Sequence, residues 1–248
     1  MIAIIVPARL ASSRFPQKLL HRIKGKPLVI WVAERLKSIA PEIPTYFAVD
    51  DLSLDAVLRE KGFKTIMTRK DHQSGTDRLA EANESIGADI VINAQADEPL
   101  VAKEQIAALG RMIQSGANMA TLATKFEKRS DFLDPNQVKV VINEKGKALY
   151  FSRSPIPYNR DDFDQFDDTW VSVSPIYRHI GLYAYSADFL KMFCSLPQSK
   201  LESIEKLEQL RAMENGYEIS IETTDNVSIG IDTPEDAKVF GAYLENNS

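Results

Sequence analysis

The sequence predicts an α/β fold: a mainly parallel, mixed central sheet flanked by helices, with an inserted antiparallel portion. Three observations predict it. Strand-length apolar runs alternate with helix-spaced ones through the first half of the chain, which implies right-handed crossovers between parallel strands. Beyond residue 138 the pattern changes to a hairpin signal. The 248 residues, 44% hydrophobic and 26% charged, also suffice to bury a large core. We therefore expect one domain over residues 1–248, divided by character into 1–126, 127–226 and a closing segment 227–248 that holds a returning strand and a helix.

Residues 2–6 are a continuous apolar run of strand length, and after a basic loop Leu28, Trp31, Val32, Leu36 and Ile39 recur at helical spacing. Residues 45–49 read as the next strand, and Leu54, Val57 and Leu58 line one face of a short helix that Gly62 ends. A strand over 63–67, a helix over 79–86, a buried strand over 89–94 and a helix over 104–113 follow. Residues 138–143 and 148–151 flank Glu144-Lys145-Gly146 and read as a hairpin, 180–185 adds a strand, and 201–214 reads as one long amphipathic helix. The stretch 155–175, with three prolines and the acidic run 161–168, reads as a solvated loop. No internal repeat is visible.

Several function classes are disfavoured at once. A net charge of −5 argues against a nucleic-acid binder, which needs clustered cations to displace counterions. A single cysteine, Cys194, makes no internal disulfide and sits in an apolar segment as a buried, inert thiol, which fits a reducing cytoplasm. The opening apolar run meets Pro7 and Arg9 before reaching secretory length, and no run approaches a membrane span, so neither export nor membrane insertion is expected. Neither G-x-G-x-x-G nor a P-loop is present, nor are zinc spacings such as C-x-x-C.

In parallel sheets ligands bind beyond the carboxyl ends of the strands, so chemistry is sought in the loops that follow them. The first such loop, residues 7–18, carries Arg9, Arg14 and Lys18 with the hydroxyls of Ser12 and Ser13, a set that suits a triphosphate. An ordinary charged surface loop fits the same residues. Asp97, after the strand at 89–94, is the best single metal-ligand candidate, since magnesium is held by one or two carboxylates plus substrate; a turn or cap before Pro99 is the alternative. Asp232 is its candidate partner, although Thr233, Pro234 and Asp236 beside it already make a helix start that needs no metal. Ser74 and Gly75 open a helix, either as its cap or as an anion- or base-reading turn. Arg153 and the Arg178-His179 pair stand at strand edges where cations suit a substrate carboxylate, while Glu208 and Gln209 read as helix surface.

Taken in order, Ala8-Arg9 with Ser13-Arg14-Phe15-Pro16 and Lys18, His72-Gln73-Ser74-Gly75-Thr76-Asp77-Arg78, Gln95-Ala96-Asp97-Glu98-Pro99, the run from Ala148 to Arg153, His179-Ile180-Gly181, Leu207-Glu208-Gln209-Leu210-Arg211 and Asp232-Thr233-Pro234-Glu235-Asp236 resemble the 3-deoxy-D-manno-octulosonate (Kdo) cytidylyltransferases over nearly the whole chain. The resemblance implies a nucleotidyltransferase fold and Mg2+-dependent transfer of CMP from CTP to the anomeric hydroxyl of Kdo, with release of pyrophosphate. It also implies a cytoplasmic homodimer that feeds lipopolysaccharide assembly. On this carry-over 1–126 is the mainly nucleotide-binding part and 127–226 the sugar-binding and dimerisation part. Arg9, Ser13, Arg14, Lys18, Ser74 and Gly75 would hold the nucleotide, and Arg78, Gln95, Arg153, His179, Glu208 and Gln209 the sugar acid. Asp97 and Asp232 would hold magnesium. A cytidylyltransferase for another sugar acid, such as 8-amino-Kdo or a sialic acid, and a non-catalytic nucleotide or sugar-acid sensor are the alternatives.

The chain departs from the family pattern twice. Gln17-Lys18-Leu19 stands where Gly-Lys-Pro is usual, and Gln95-Ala96-Asp97 where Gln-Gly-Asp is usual. A lost glycine predicts backbone strain wherever φ is positive.

Overall fold

The apolar opening run becomes β1 (Ile2–Ala8), in which Ala3, Ile4, Ile5 and Val6 are all fully buried. Successive strand residues point to opposite faces, so both faces of this strand are covered, as a parallel sheet between helices requires. The computed structural model describes residues 1–12, 15–72, 74–161, 166–226 and 230–246. The chain forms two compact units, Met1–Ala107 with Ser228–Ser248, and Ala108–Val227.

In the first unit β1 is followed by a two-residue hairpin of β2 (Arg22–Ile23) and β3 (Lys26–Pro27), then α1 (Leu28–Ile39), β4 (Thr45–Val49), α2 (Leu52–Glu60), β5 (Lys64–Met67), α3 (Gly75–Ile86), β6 (Ile90–Asn93) and α4 (Lys103–Gln114), which carries the chain into the second unit. The four long strands lie in the order β6-β1-β4-β5 and all pair in parallel, with Ile4 opposite both Thr45 and Ile92. Helix α1 buries Leu28, Val32, Leu36 and Ile39, at the spacing that the sequence predicts. Asp51 caps α2 by accepting the Ser53 N–H, and Ser74 caps α3 by accepting the Asp77 N–H at 3.1 Å. The hairpin between β2 and β3 turns on Lys24 and Gly25, both at positive φ.

The second unit contains β7 (Met119–Lys125), α5 (Arg129–Leu133), β8 (Lys139–Ile142), β9 (Ala148–Ser152), α6 (Asp168–Val173), β10 (Tyr177–Ser186), α7 (Ala187–Ser195), α8 (Lys200–Glu205), α9 (Leu210–Glu214) and β11 (Ser220–Thr223); α10 (Pro234–Asn246) closes the first unit. Here β7 pairs antiparallel with β10 and parallel with β11, and β8 pairs antiparallel with both β9 and β10. The β8–β9 hairpin is the antiparallel portion that the sequence predicts. Among the described residues no helix is long and apolar enough to cross a membrane.

Three expectations are corrected. The single helix expected over 201–214 is two, because Lys206 turns left-handed at φ 54. Arg153 takes the Glu205 carbonyl with Nε at 2.6 Å and the Lys206 carbonyl with Nη2 at 3.4 Å, so the helical ladder ends there. The fold-back lets Arg211 grip Glu202 through two bonds of 2.9 and 2.6 Å. Nine residues of straight helix would separate their backbone positions by about 13 Å along the axis and put them on opposite faces. The solvated loop expected over 155–175 contains α6, capped by Asp167, and its Phe166 and Val171 bury with Phe126, Phe132 and the adjoining Ile176. The aromatic and aliphatic residues between the acids supply a satellite core of their own, while 162–165 of the acidic run lie outside the described residues. Cys194 is half-buried rather than buried, since the inward face of α7 is Phe189, Leu190 and Phe193 and Cys194 falls beside it. The predicted returning strand at 227–231 falls partly on 227–229, outside the described residues.

Candidate active site

At the carboxyl end of β1 the chain loops over and returns as a short 3-10 turn, Lys18–Leu20, closed by bonds from Leu20 N to Gln17 O and from His21 N to Lys18 O. Phe15 and Leu19 are buried and anchor this turn. Lys18 between them reaches the other way. Asp97 arrives in the turn that follows β6, and its carbonyl accepts the Ile231 N–H at 2.9 Å, which draws residue 232 alongside residue 97. Reciprocal bonds between Thr233 and Asp236, with the Asp232 N–H also donated to Asp236, then start α10 and hold Asp232 at its mouth.

The Lys18 ammonium sits between the two carboxylates, Nζ at 2.5 Å from Asp97 Oδ2 and 2.8 Å from Asp232 Oδ1. Burial alone works to lower the Lys18 pKa, but Asp97 and Asp232 together outweigh it and raise it, so the lysine stays charged. Around this triad lies a cavity of about 380 Å³ lined by Arg9, Ser12, Ser74, Gly75, Arg78 and Gln95 as well as by the triad itself. Arg9, Ser12, Lys18, Ser74, Gly75, Arg78, Gln95, Asp97 and Asp232, all singled out in the sequence, thus meet in the first unit. Ser13, Arg14 and Gln73 lie outside the described residues.

Arg78 is buried and extensively engaged. Its Nη1 donates to Thr68 Oγ1 and to the Arg69 carbonyl, and its Nη2 to Asp50 Oδ2 at 3.2 Å. Burial pulls the guanidinium below its usual pKa against the opposing charge of Asp50. The other oxygen of Asp50 accepts the Leu10 N–H at 2.9 Å, so a buried ion pair fixes the loop that carries Arg9. Asp50 was not singled out in the sequence. Its only signal there is its place at the end of β4, the post-strand position where ligand-site residues are expected.

The expected strain at Ala96 is absent, whereas Gln17, the other departure from glycine, does adopt φ 54 and ψ 31. Among the described residues no cluster of three or more His, Cys, Asp or Glu side chains forms; Asp97 and Asp232 are a carboxylate pair.

The sequence pattern of the cytidylyltransferase family matches residues 3–221. The chain is 47% identical over 247 residues to the 3-deoxy-manno-octulosonate cytidylyltransferase of Syntrophotalea carbinolica, covering 98% of each, and 45% identical to that of Thermodesulfovibrio yellowstonii, again covering 98% of each. It belongs to the 3-deoxy-manno-octulosonate cytidylyltransferase family. A solved structure of CMP:2-keto-3-deoxy-manno-octonic acid synthetase complexed with CTP superposes with a TM-score of 0.89 at 36% identity, covering 100% of this chain and 99% of that one. The fold is therefore that of the nucleotidyltransferases.

The remaining candidates of this cytidylyltransferase family member lie in the second unit. Arg153 is held by carbonyls of Glu205, Lys206 and Pro135, and its own N–H donates to the Glu205 carboxylate at 2.9 Å. Lys139, fully buried, donates to the Asp134 and Arg153 carbonyls, and burial pushes its pKa down to about 8. His179 lies within β10 and not at its edge, its ring 5.1 Å from Phe151 and 5.3 Å from Tyr183 between centroids. Burial pushes the His179 pKa down to about 3, so it is a neutral imidazole and not the carboxylate-binding cation that the sequence suggests. Burial, with the charge of Glu208 as the second cause, raises the Tyr183 pKa well above its usual value. Gln209 is buried, and its Nε2 has no hydrogen-bond partner among the described residues.

Proposed function

We propose that the chain transfers CMP from CTP to the anomeric hydroxyl of Kdo, giving CMP-Kdo and pyrophosphate. The observation that carries this reading is the convergence of Asp97 and Asp232 on one cation position beside Arg9, in a chain of this family. Arg9 and Lys18 supply positive charge for the triphosphate and for the departing pyrophosphate. The N-terminus of α3, opened by Ser74 and Gly75, offers backbone N–H groups to the nucleotide. Arg78, through Asp50, keeps the Arg9 loop in place while the sugar hydroxyl attacks the α-phosphorus in line. Positioning and charge neutralisation account for the acceleration, and no histidine acts as base.

Two carboxylates that share one ammonium also fit a hard divalent ion, and we assign Asp97 and Asp232 as the ligands of Mg2+. When bound, the ion supplies charge to the phosphate oxygens and lowers the pKa of the attacking hydroxyl. On the family resemblance the protein works as a cytoplasmic homodimer that feeds lipopolysaccharide assembly. Arg153, His179, Glu208 and Gln209 are the proposed sugar-acid residues of the second unit.

The test is pyrophosphate release with magnesium and each of the four nucleoside triphosphates, with and without freshly made Kdo, 8-amino-Kdo or sialic acid. Release is expected only with CTP and Kdo together. Asp97→Asn is expected to lower turnover by a factor on the order of 10² or more while the protein stays folded. Release with a different sugar acid would reassign the substrate, and near-normal turnover of Asp97→Asn would remove its metal role.

A further inference from the structure

The pairing of β10 with β7 skips from Ile180 to Tyr183, so that Gly181 and Leu182 form a bulge in the ladder. Thr121 of β7, fully buried, fills that gap. Its hydroxyl oxygen lies 2.8 Å from the Leu182 carbonyl oxygen, 3.0 Å from the Ile180 carbonyl oxygen and 3.0 Å from Nε2 of His179.

One hydrogen serves three neighbours, and that decides its direction. A carbonyl oxygen only accepts, so both short oxygen–oxygen contacts need the threonine hydrogen between them. Were the hydrogen turned to His179, two carbonyl oxygens would face bare hydroxyl lone pairs at these distances, which is repulsive. The hydrogen therefore points to the Leu182 and Ile180 carbonyls, and a hydroxyl lone pair is left for a donor. His179 Nε2 must carry a proton to be that donor.

We propose that Thr121 is a positioning residue that fixes His179 as the neutral, Nε2-protonated tautomer, leaving Nδ1 as an acceptor that reads a hydroxyl of the sugar acid and not its carboxylate. This rests on the placement of His179 among the sugar-acid residues. The packing of Phe151 and Tyr183 against the imidazole acts in the same sense, because an apolar surround disfavours the imidazolium. The lock is itself independent of substrate, since all of its atoms belong to β7 and β10.

Long-range 15N–1H spectra of the full-length protein without substrate, with His179 assigned by its loss in His179→Gln, test the lock directly. Nε2 is expected at the protonated position and Nδ1 at the bare one; the reverse pattern, or an imidazolium at pH 7, would overturn the proposal. Steady-state kinetics test its use. Thr121→Val is expected to raise the KM for Kdo roughly tenfold with the KM for CTP unchanged, the size expected for one lost hydrogen bond, and Thr121→Ser to restore it. Equal changes for CTP and Kdo, or no recovery in Thr121→Ser, would reduce Thr121 to a structural plug and sink the proposal. If the wild type does not turn over Kdo at all, the failure belongs to the proposed function, and the spectra still report on the tautomer.

Discussion

Gln17 stands immediately before Lys18 in the left-handed region, at φ 54 and ψ 31, where a side chain with a Cβ is strained by about 1–2 kcal/mol. Glycine at that place relieves the strain but carries about 0.5–1 kcal/mol of extra chain freedom in the unfolded state. Gln17→Gly is therefore expected to stabilise the protein by about 0.5 kcal/mol, a rise in melting temperature of about 1–2 °C, with CTP binding retained. A fall in melting temperature would show that the glutamine side chain makes contacts worth more than the strain. Two departures from glycine were legible in the sequence, yet only one bears strain, because φ is set by the turn and not by the residue alone. Asp97 was legible for the same reason that the fold was: the pattern of buried strands fixes which loops lie at the carboxyl edge of the sheet. Asp50 and Thr121 were not. Asp50 binds a backbone N–H 40 residues away, and Thr121 serves carbonyls 59 and 61 residues away, so no local pattern marks either.

The same limit holds for whole elements. Strands β1, β4 and β6 announce themselves because each is a largely apolar run bounded by turns, whereas β7 reads Met-Ala-Thr-Leu-Ala-Thr-Lys, buried through its first six residues but built of small and hydroxylated side chains. Hydrophobic periodicity passes over such a strand. The break between α8 and α9 was hidden in a different way, since residues 201–214 keep helical spacing and what ends the helix is Arg153 from another strand's end. The carboxylate of Glu205 completes that junction by accepting Ser152 Oγ at 2.6 Å and the Arg153 N–H at 2.9 Å. Glu205→Ala leaves both donors unpaired, and we expect a loss of about 2–3 kcal/mol in urea unfolding together with a raised KM for Kdo, since the turn that carries Glu208 and Gln209 loses its anchor. Glu205→Gln, which keeps one acceptor, should lie between. A Glu205→Ala protein of wild-type stability would mean that water replaces the carboxylate and that the turn is held by Arg153 alone.

At the scale of the molecule, the position of Lys18 separates folding from the proposed metal binding. The ammonium already offsets one of the two negative charges of Asp97 and Asp232 inside the first unit, and both carboxylates are partly exposed to water, so that unit does not depend on a divalent ion to fold. Removing metal with a chelator is accordingly expected to abolish pyrophosphate release while leaving the melting temperature within about 1 °C of its value in magnesium. Magnesium alone must compete with a tethered cation and should add little. Magnesium with CTP offers Lys18 a triphosphate in exchange, and at about 100 times the dissociation constant a ligand adds about 2.7 kcal/mol, which for a chain of this size is a rise of about 5–10 °C. Thermal melts in chelator, in magnesium, in CTP with chelator, and in both together therefore resolve the roles. A large drop in chelator alone would make the ion part of the fold and not of the reaction, and an equal rise with CTP in chelator would show that Arg9 and Lys18 hold the nucleotide without it. If the two units melt in separate steps, the ligand-dependent rise should appear first in the step that contains Lys18, because only the unit that binds gains directly from the ligand.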